Sequence, residues 1–332
     1  MFRNRKAKDA LFTFAFPLAM FVLMELLCFF LKGRHLVGSL LDVKTLVRNT
    51  GISAIIAFAL SFNLSCGRFD LSLGAQRLAG TIIGGMIAME LGLSGLWFLL
   101  FSFLCGLVFG FITGMVFVIT RVPPMVLGVG IGLVWECVPY TMSKGKGLNL
   151  FGVHGTEILT DTVFTIAVMI VVAVFVSLIM NRMKAIQGSQ LIARNSGINI
   201  FRHAVLCYMF AGGLVCVAGI IDAAFQTQMS STMGLASNGV VVSNMFAMML
   251  GGYIGERSNQ ATGVIVASLT LNLFSYGLTL MELSEANTSV VNQTVFVLFL
   301  VFLANRYYFR KRKAEKARIA QALEQRRIMS VA

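Results

Sequence analysis

The chain has 332 residues, of which 57% are apolar and only 12% charged, with 28 Phe, 19 Met and 4 Pro. A soluble domain carries roughly a quarter charged residues, so this composition excludes one and predicts an all-α polytopic membrane protein. The net charge of +13 does not point to nucleic acid, because nine cations lie between Arg306 and Arg327 and four precede residue 10.

Cations so placed mark the cytosolic side of a membrane protein. Residues 1–10 are therefore read as a cytosolic basic N-tail, 11–309 as the transmembrane domain and 310–332 as a cytosolic basic C-tail, solvated or lying among headgroups. Within 11–309 the apolar runs are continuous rather than alternating, which predicts helices and not a barrel. The first span is expected at 11–31, too long for a signal-peptide core and followed by no cleavage site. Lys32 to Asn49 reads as an amphipathic interfacial helix, because its cations Lys32, Arg34, Lys44 and Arg48 fall on the outer side. Further spans are expected at 51–65, 78–91, 96–119, 125–142, 162–180, 204–224, 239–254, 261–281 and 291–309, ten in all. With the N-terminus inside, the cytosolic segments hold 21 of the 27 Lys and Arg.

Between the second and third spans, Asn63, Ser65, Arg68, Asp70, Ser72, Gln76 and Arg77 crowd a stretch in which Gly67 and Gly74 are expected to break the helix. Charged groups at membrane depth must pair or face water, and irregular backbone survives there only inside protein or beside a cavity. Two roles fit: Asp70 paired with Arg68 or Arg77 to pin the break, or the stretch lining a path. Glu136, beside Trp135, and Asn272 are candidate pore-lining groups, whereas Glu25 and Asp222 sit near span ends and need no special role. Gly106, Gly110 and Gly114 form a small-xxx-small stripe for close helix approach, and the span after Pro123-Pro124 is expected to start irregularly.

The loop 181–203 carries Arg182, Lys184, Arg194 and Arg202 and no acid. It reads either as an ordinary basic loop or as a cytosolic helix, held between two spans, that takes force from a soluble partner. No chemistry of an enzyme is legible. Ser143-Lys144-Gly145-Lys146-Gly147 lacks the spacing of a phosphate loop, and metalloprotease and serine-hydrolase motifs are missing. The six Cys lie in apolar segments without a C-x-x-C pair, and the three His give no metal spacing.

Cys66 to Ala75, C-G-R-F-D-L-S-L-G-A, resembles the G-G-I-D-L-S-V-G-S signature of ribose/galactose-type ABC importer permeases of bacteria. Ala193 to Ile200, A-R-N-S-G-I-N-I, resembles their A-A-R-L-S-G-I-N-V coupling segment, and a glycine-rich helix and L-G-G-Y (250–253) follow in the family's order. The resemblance covers residues 10 to 308 and implies a ten-helix permease in the bacterial inner membrane. Its implied partners are a cytosolic ABC ATPase that binds ATP and Mg, a second permease subunit (identical or not), an extracytoplasmic solute-binding protein and the surrounding lipid. No cofactor is implied for this chain. Ala193, Arg194, Ser196, Gly197, Ile198 and Asn199 would then touch the ATPase, and Asn63, Gly67, Asp70, Ser72, Gly74 and Gln76 would form the broken helix of the translocation path. The implied cargo is a sugar or related polar solute; nucleosides, amino acids, a signalling sugar or a self-sufficient carrier are the alternatives. The chain departs from the family at Arg68, where a second glycine is usual, at Gln76-Arg77, and at 255–259.

Overall fold

The computed structural model describes residues 2–65, 67–188, 195, 197–284 and 286–305. The expectations for Ala193, Arg194, Ser196 and the C-tail 310–332 concern residues outside that set. Ten helices of eighteen residues or more are described. They are α1 (Phe2–Lys32), α2 (Leu40–Ser65), α3 (Leu73–Glu90), α4 (Leu96–Thr120), α5 (Pro124–Met142), α7 (Thr162–Gly188), α8 (Ile200–Gln226), α9 (Asn238–Gly255), α10 (Gln260–Leu280) and α11 (Ala286–Asn305). A four-residue helix, α6 (Glu157–Thr160), and an antiparallel pair, β1 (Leu148–Asn149) with β2 (Gln228–Met229), are the other elements described. Eight of the ten long helices are apolar enough to cross a membrane; α3 and α9, with Gln76, Arg77, Asn238 and Asn244, are more polar. In hydrocarbon each backbone N–H and C=O must be satisfied internally, so continuous apolar runs fold as helices.

The chain divides into two compact units, residues 1–281 and 282–332. In the first, α2 and α8 are mostly buried and α8 packs against α2, α3 and α4. Ala54, Phe58, Phe62, Val215 and Ala218 lie in its main apolar core. Leu18, Phe30, Val171 and Leu178 are exposed, as expected of helices facing lipid. In the second unit α11 presents exposed Val290, Val297 and Leu298.

Lipid tails are as apolar as Leu, so helices associate here through close packing of small residues. A β-carbon added at Gly110 would lie 2.7 Å from the Met209 Cα, and one at Gly114 would lie 2.9 Å from the Val205 Cα. One at Gly106 would overlap the Gly212 carbonyl. The glycine stripe is thus the seam along which α4 meets α8.

Two local expectations are corrected. No separate interfacial helix occupies 32–49, because α2 begins at Leu40 and runs unbroken to Ser65. Its start is capped by Asp42, whose Oδ2 accepts from the Ser39 N–H at 2.8 Å while the Ser39 Oγ accepts from the Asp42 N–H at 3.3 Å. Two of its polar residues meet partners within the bundle. Tyr276 donates to Asp42 Oδ1 at 2.7 Å, and the Arg48 guanidinium lies 3.1 Å from the centre of the Phe225 ring. The segment after Pro123 is not irregular either. Helix α5 starts at Pro124, where a first-turn proline has no intrahelical N–H partner to lose.

Candidate functional site

The helix break lies between α2 and α3. Gly67 adopts φ +70°, its N–H reaches the Leu64 carbonyl at 2.9 Å, and the Arg68 N–H reaches the Asn63 carbonyl at 3.0 Å. These two bonds make a Schellman ending, which needs a left-handed residue and so selects glycine. Gly74 is not a second break. It lies inside α3 beneath the Ser237 carbonyl, where an added β-carbon would overlap that group.

Asp70 is 3% exposed and bonds to neither Arg68 nor Arg77. Its Oδ1 accepts from the Ser72 N–H at 2.8 Å and the Ser72 Oγ at 2.6 Å, and its Oδ2 accepts from Asn63 Nδ2 at 3.2 Å. A carboxylate bonded this way ties the end of α2 to the start of α3. Gln76 extends the network, donating to Ser72 Oγ at 2.7 Å and to Thr113 Oγ1 at 3.3 Å; Trp135 Nε1 also donates to Thr113 Oγ1, at 3.0 Å. Four helices and the break are thereby linked through buried polar atoms, where an unmade bond is costly.

Glu136 faces no open path. It is 0% exposed and accepts from the Leu235 N–H at 2.7 Å, the Ser237 N–H at 3.0 Å and the Ser237 hydroxyl. Glu136 on α5 and Gly74 on α3 together hold the connection entering α9. Asn272 does border a cavity, of about 420 Å³, shared with Asn49, Ser53, Arg77, Asp222 and Asn244. Ser53 donates to Asn244 Oδ1 at 2.6 Å, and Asn272 Nδ2 donates to the Ser268 carbonyl at 2.8 Å.

At the edge of this cavity Arg77 Nη2 pairs with Asp222 Oδ2 across α3 and α8. Sequence reasoning missed the pair because its members lie 145 residues apart and share no local spacing. The available clue was an arginine and an aspartate in otherwise apolar helices, since such charges seldom go unpaired.

Gly197, Ile198 and Asn199 form the turn into α8. Gly197 has φ +83°, and Asn199 Oδ1 caps the helix by accepting from the Phe201 and Arg202 N–H groups at 3.1 and 3.2 Å. They border a second cavity, of about 760 Å³, that also touches Gly67 and Arg68. The break and the end of the basic loop therefore meet at one place.

A ribose import permease of Bacillus subtilis is 25% identical over 271 residues, 78% of this chain and 83% of the relative. That of Haemophilus influenzae is 24% identical over 286 residues, covering 80% and 85%, and that of Escherichia coli K12 is 23% identical over 272 residues, covering 76% and 82%. The fold is similar to that of a solved structure described as an inward-facing conformation of a putative metal-chelate type ABC transporter. That match has a TM-score of 0.52 and 12% identity, and covers 87% of this chain and 97% of the other. The family described as the permease component of branched-chain amino acid transport systems matches residues 44–303, and the chain belongs to it.

Proposed function

We propose that this chain is the membrane-spanning subunit of an ATP-driven importer that moves a sugar or related small polar solute into a bacterial cell. The observation that carries the reading is the family match across residues 44–303, together with three ribose import permeases aligned over most of their length. The cavity beside Arg77 and Asp222 supports it, because hydroxyl and amide groups of Ser53, Asn49, Asn244 and Asn272 suit a polyhydroxylated solute. Asn63, Gly67, Asp70, Ser72, Gly74 and Gln76 then serve the path by fixing the broken helix that borders it.

The cation distribution supports both termini in the cytosol of an inner-membrane protein. In that orientation the segment 193–199 receives an ATPase carrying ATP and Mg. Closure of two such ATPases around nucleotide rocks two permease subunits between outward and inward access. A binding protein outside supplies affinity, so the path itself needs only weak contacts.

The test is reconstitution with the candidate ATPase and binding protein. ATP-dependent uptake of a radiolabelled pentose or hexose is expected, lost in Arg194→Glu together with ATPase co-purification. Uptake without any ATPase, or labelling of residue 194 from outside intact cells, overturns the reading; competition by nucleosides or amino acids instead of sugars reassigns the cargo.

A further inference from the structure

The cavity of about 760 Å³ lies where the end of α4, the start of α5, the turn after α2 and the entry to α8 meet. Arg68 and Arg121 line it, and none of the described lining residues is acidic. Arg68 is 6% exposed, and its Nη1 is buried without a hydrogen-bond partner. Among the described residues the guanidinium has a cation–π contact, 5.4 Å from the Phe117 ring centre. A buried cation with an unmade bond is costly unless an anion completes it. Arg121 ends α4 in the left-handed region at φ 55°, a position where helices usually place glycine. The 27-residue α8 begins on the same wall, so its positive end adds to the potential of the two arginines.

We propose that this cavity binds a phosphate group, carried by an anionic lipid of the membrane leaflet it opens toward. The arginines supply forked donors that match phosphate oxygens. Phe117, Val118, Val122 and Ile200 supply an apolar wall for the attached glycerol and acyl ends, which a free ion would not need. Basic pockets at the ends of membrane helices bind anionic headgroups for this reason. In the orientation proposed above that leaflet is the cytosolic one; the phosphate chemistry does not depend on transport or cargo.

The test uses the full-length chain, purified and delipidated in detergent. Native mass spectrometry and thermal unfolding are followed with dioleoyl-phosphatidylglycerol, dioleoyl-phosphatidylcholine and inorganic phosphate. Phosphatidylglycerol is expected to bind and raise Tm, with Arg68→Gln and Arg121→Gln each weakening it on the order of tenfold. Protection by inorganic phosphate with the same arginine dependence keeps the site and identifies a soluble anion as its source. If Arg68→Gln yields no folded protein, the exposed Arg121→Gln decides alone. Absence of binding by either anionic probe, equal binding of phosphatidylcholine, or binding unchanged in the variants overturns the proposal.

Discussion

The Arg77–Asp222 pair carries a quantitative prediction. The side chains are 11% and 22% exposed, and Arg77 Nε is buried with no partner, so the pair sits mostly out of water. Asp222→Asn removes the anion and leaves a guanidinium desolvated and unpaired; Arg77→Gln does the reverse. Breaking a fully buried pair costs about 3–5 kcal/mol. The residual exposure of Asp222 screens part of this, which lowers the expected cost to about 2–4 kcal/mol for each single variant. The double variant replaces two charges with two amides that can bond to each other. It should therefore be less destabilised than the sum, with a coupling energy of about 1–3 kcal/mol. At roughly 2–4 °C per kcal/mol, each single variant should lose on the order of 5–15 °C in a detergent thermal unfolding assay. Strict additivity, or single variants within about 0.5 kcal/mol of wild type, would show that the pair contributes nothing across α3 and α8.

Gly110→Ala should cost about 1–3 kcal/mol by overpacking against α8, whereas Gly130→Ala, where nothing lies within 4 Å, should be neutral or slightly stabilising; thermal unfolding of both separates seam from surface. Glu136→Ala strands the Leu235 and Ser237 N–H groups and should cost about 2–4 kcal/mol. It should also raise proteolysis in the segment 227–237, an effect Glu136→Gln should show more weakly. Thr113→Val removes the acceptor shared by Trp135 and Gln76 and should cost about 1–3 kcal/mol. A Trp135→Phe, Thr113→Val double variant should lose less than the sum, measured by the same unfolding assay.

The helices were legible because lipid leaves the chain so few choices. Apolar runs such as Leu96–Thr120 and Thr162–Ile179 can satisfy their backbone only as helices. Helix ends were legible only where the local sequence alone decides them, as at Gly67. The first turns of α2 read as a separate interfacial helix, and the polar start of α3 as a helix break, because their composition is wrong for lipid. Both are helical because distant residues meet their polar groups, Tyr276 at Asp42, Phe225 at Arg48 and Thr113 at Gln76. Gly74 read as a breaker for a similar reason. Its small size serves the Ser237 backbone, which lies 163 positions further along the chain. Glu136 read as a pore group because a lone acid in a span suggests water, whereas three donors from one returning segment enclose it.

The departures from the resembled signature can be sorted by their partners. Gln76 and Arg77 introduce polarity near the start of α3. The fold answers each in part, the amide nitrogen with Ser72 and Thr113 and Arg77 Nη2 with Asp222, while Gln76 Oε1 and Arg77 Nε stay buried without a partner. Each is therefore a cross-link between helices. Arg68 replaces a glycine at the adjacent turn and receives no such answer, having one aromatic face and an unbonded Nη1. A turn that tolerates glycine gains nothing structurally from a buried cation without an acceptor, since its removal would lift a desolvation cost. No described residue lining the cavity carries a carboxylate. What distinguishes this turn from Arg77 is that its cation faces no carboxylate among the described residues, which is the imbalance the proposed lipid phosphate would correct.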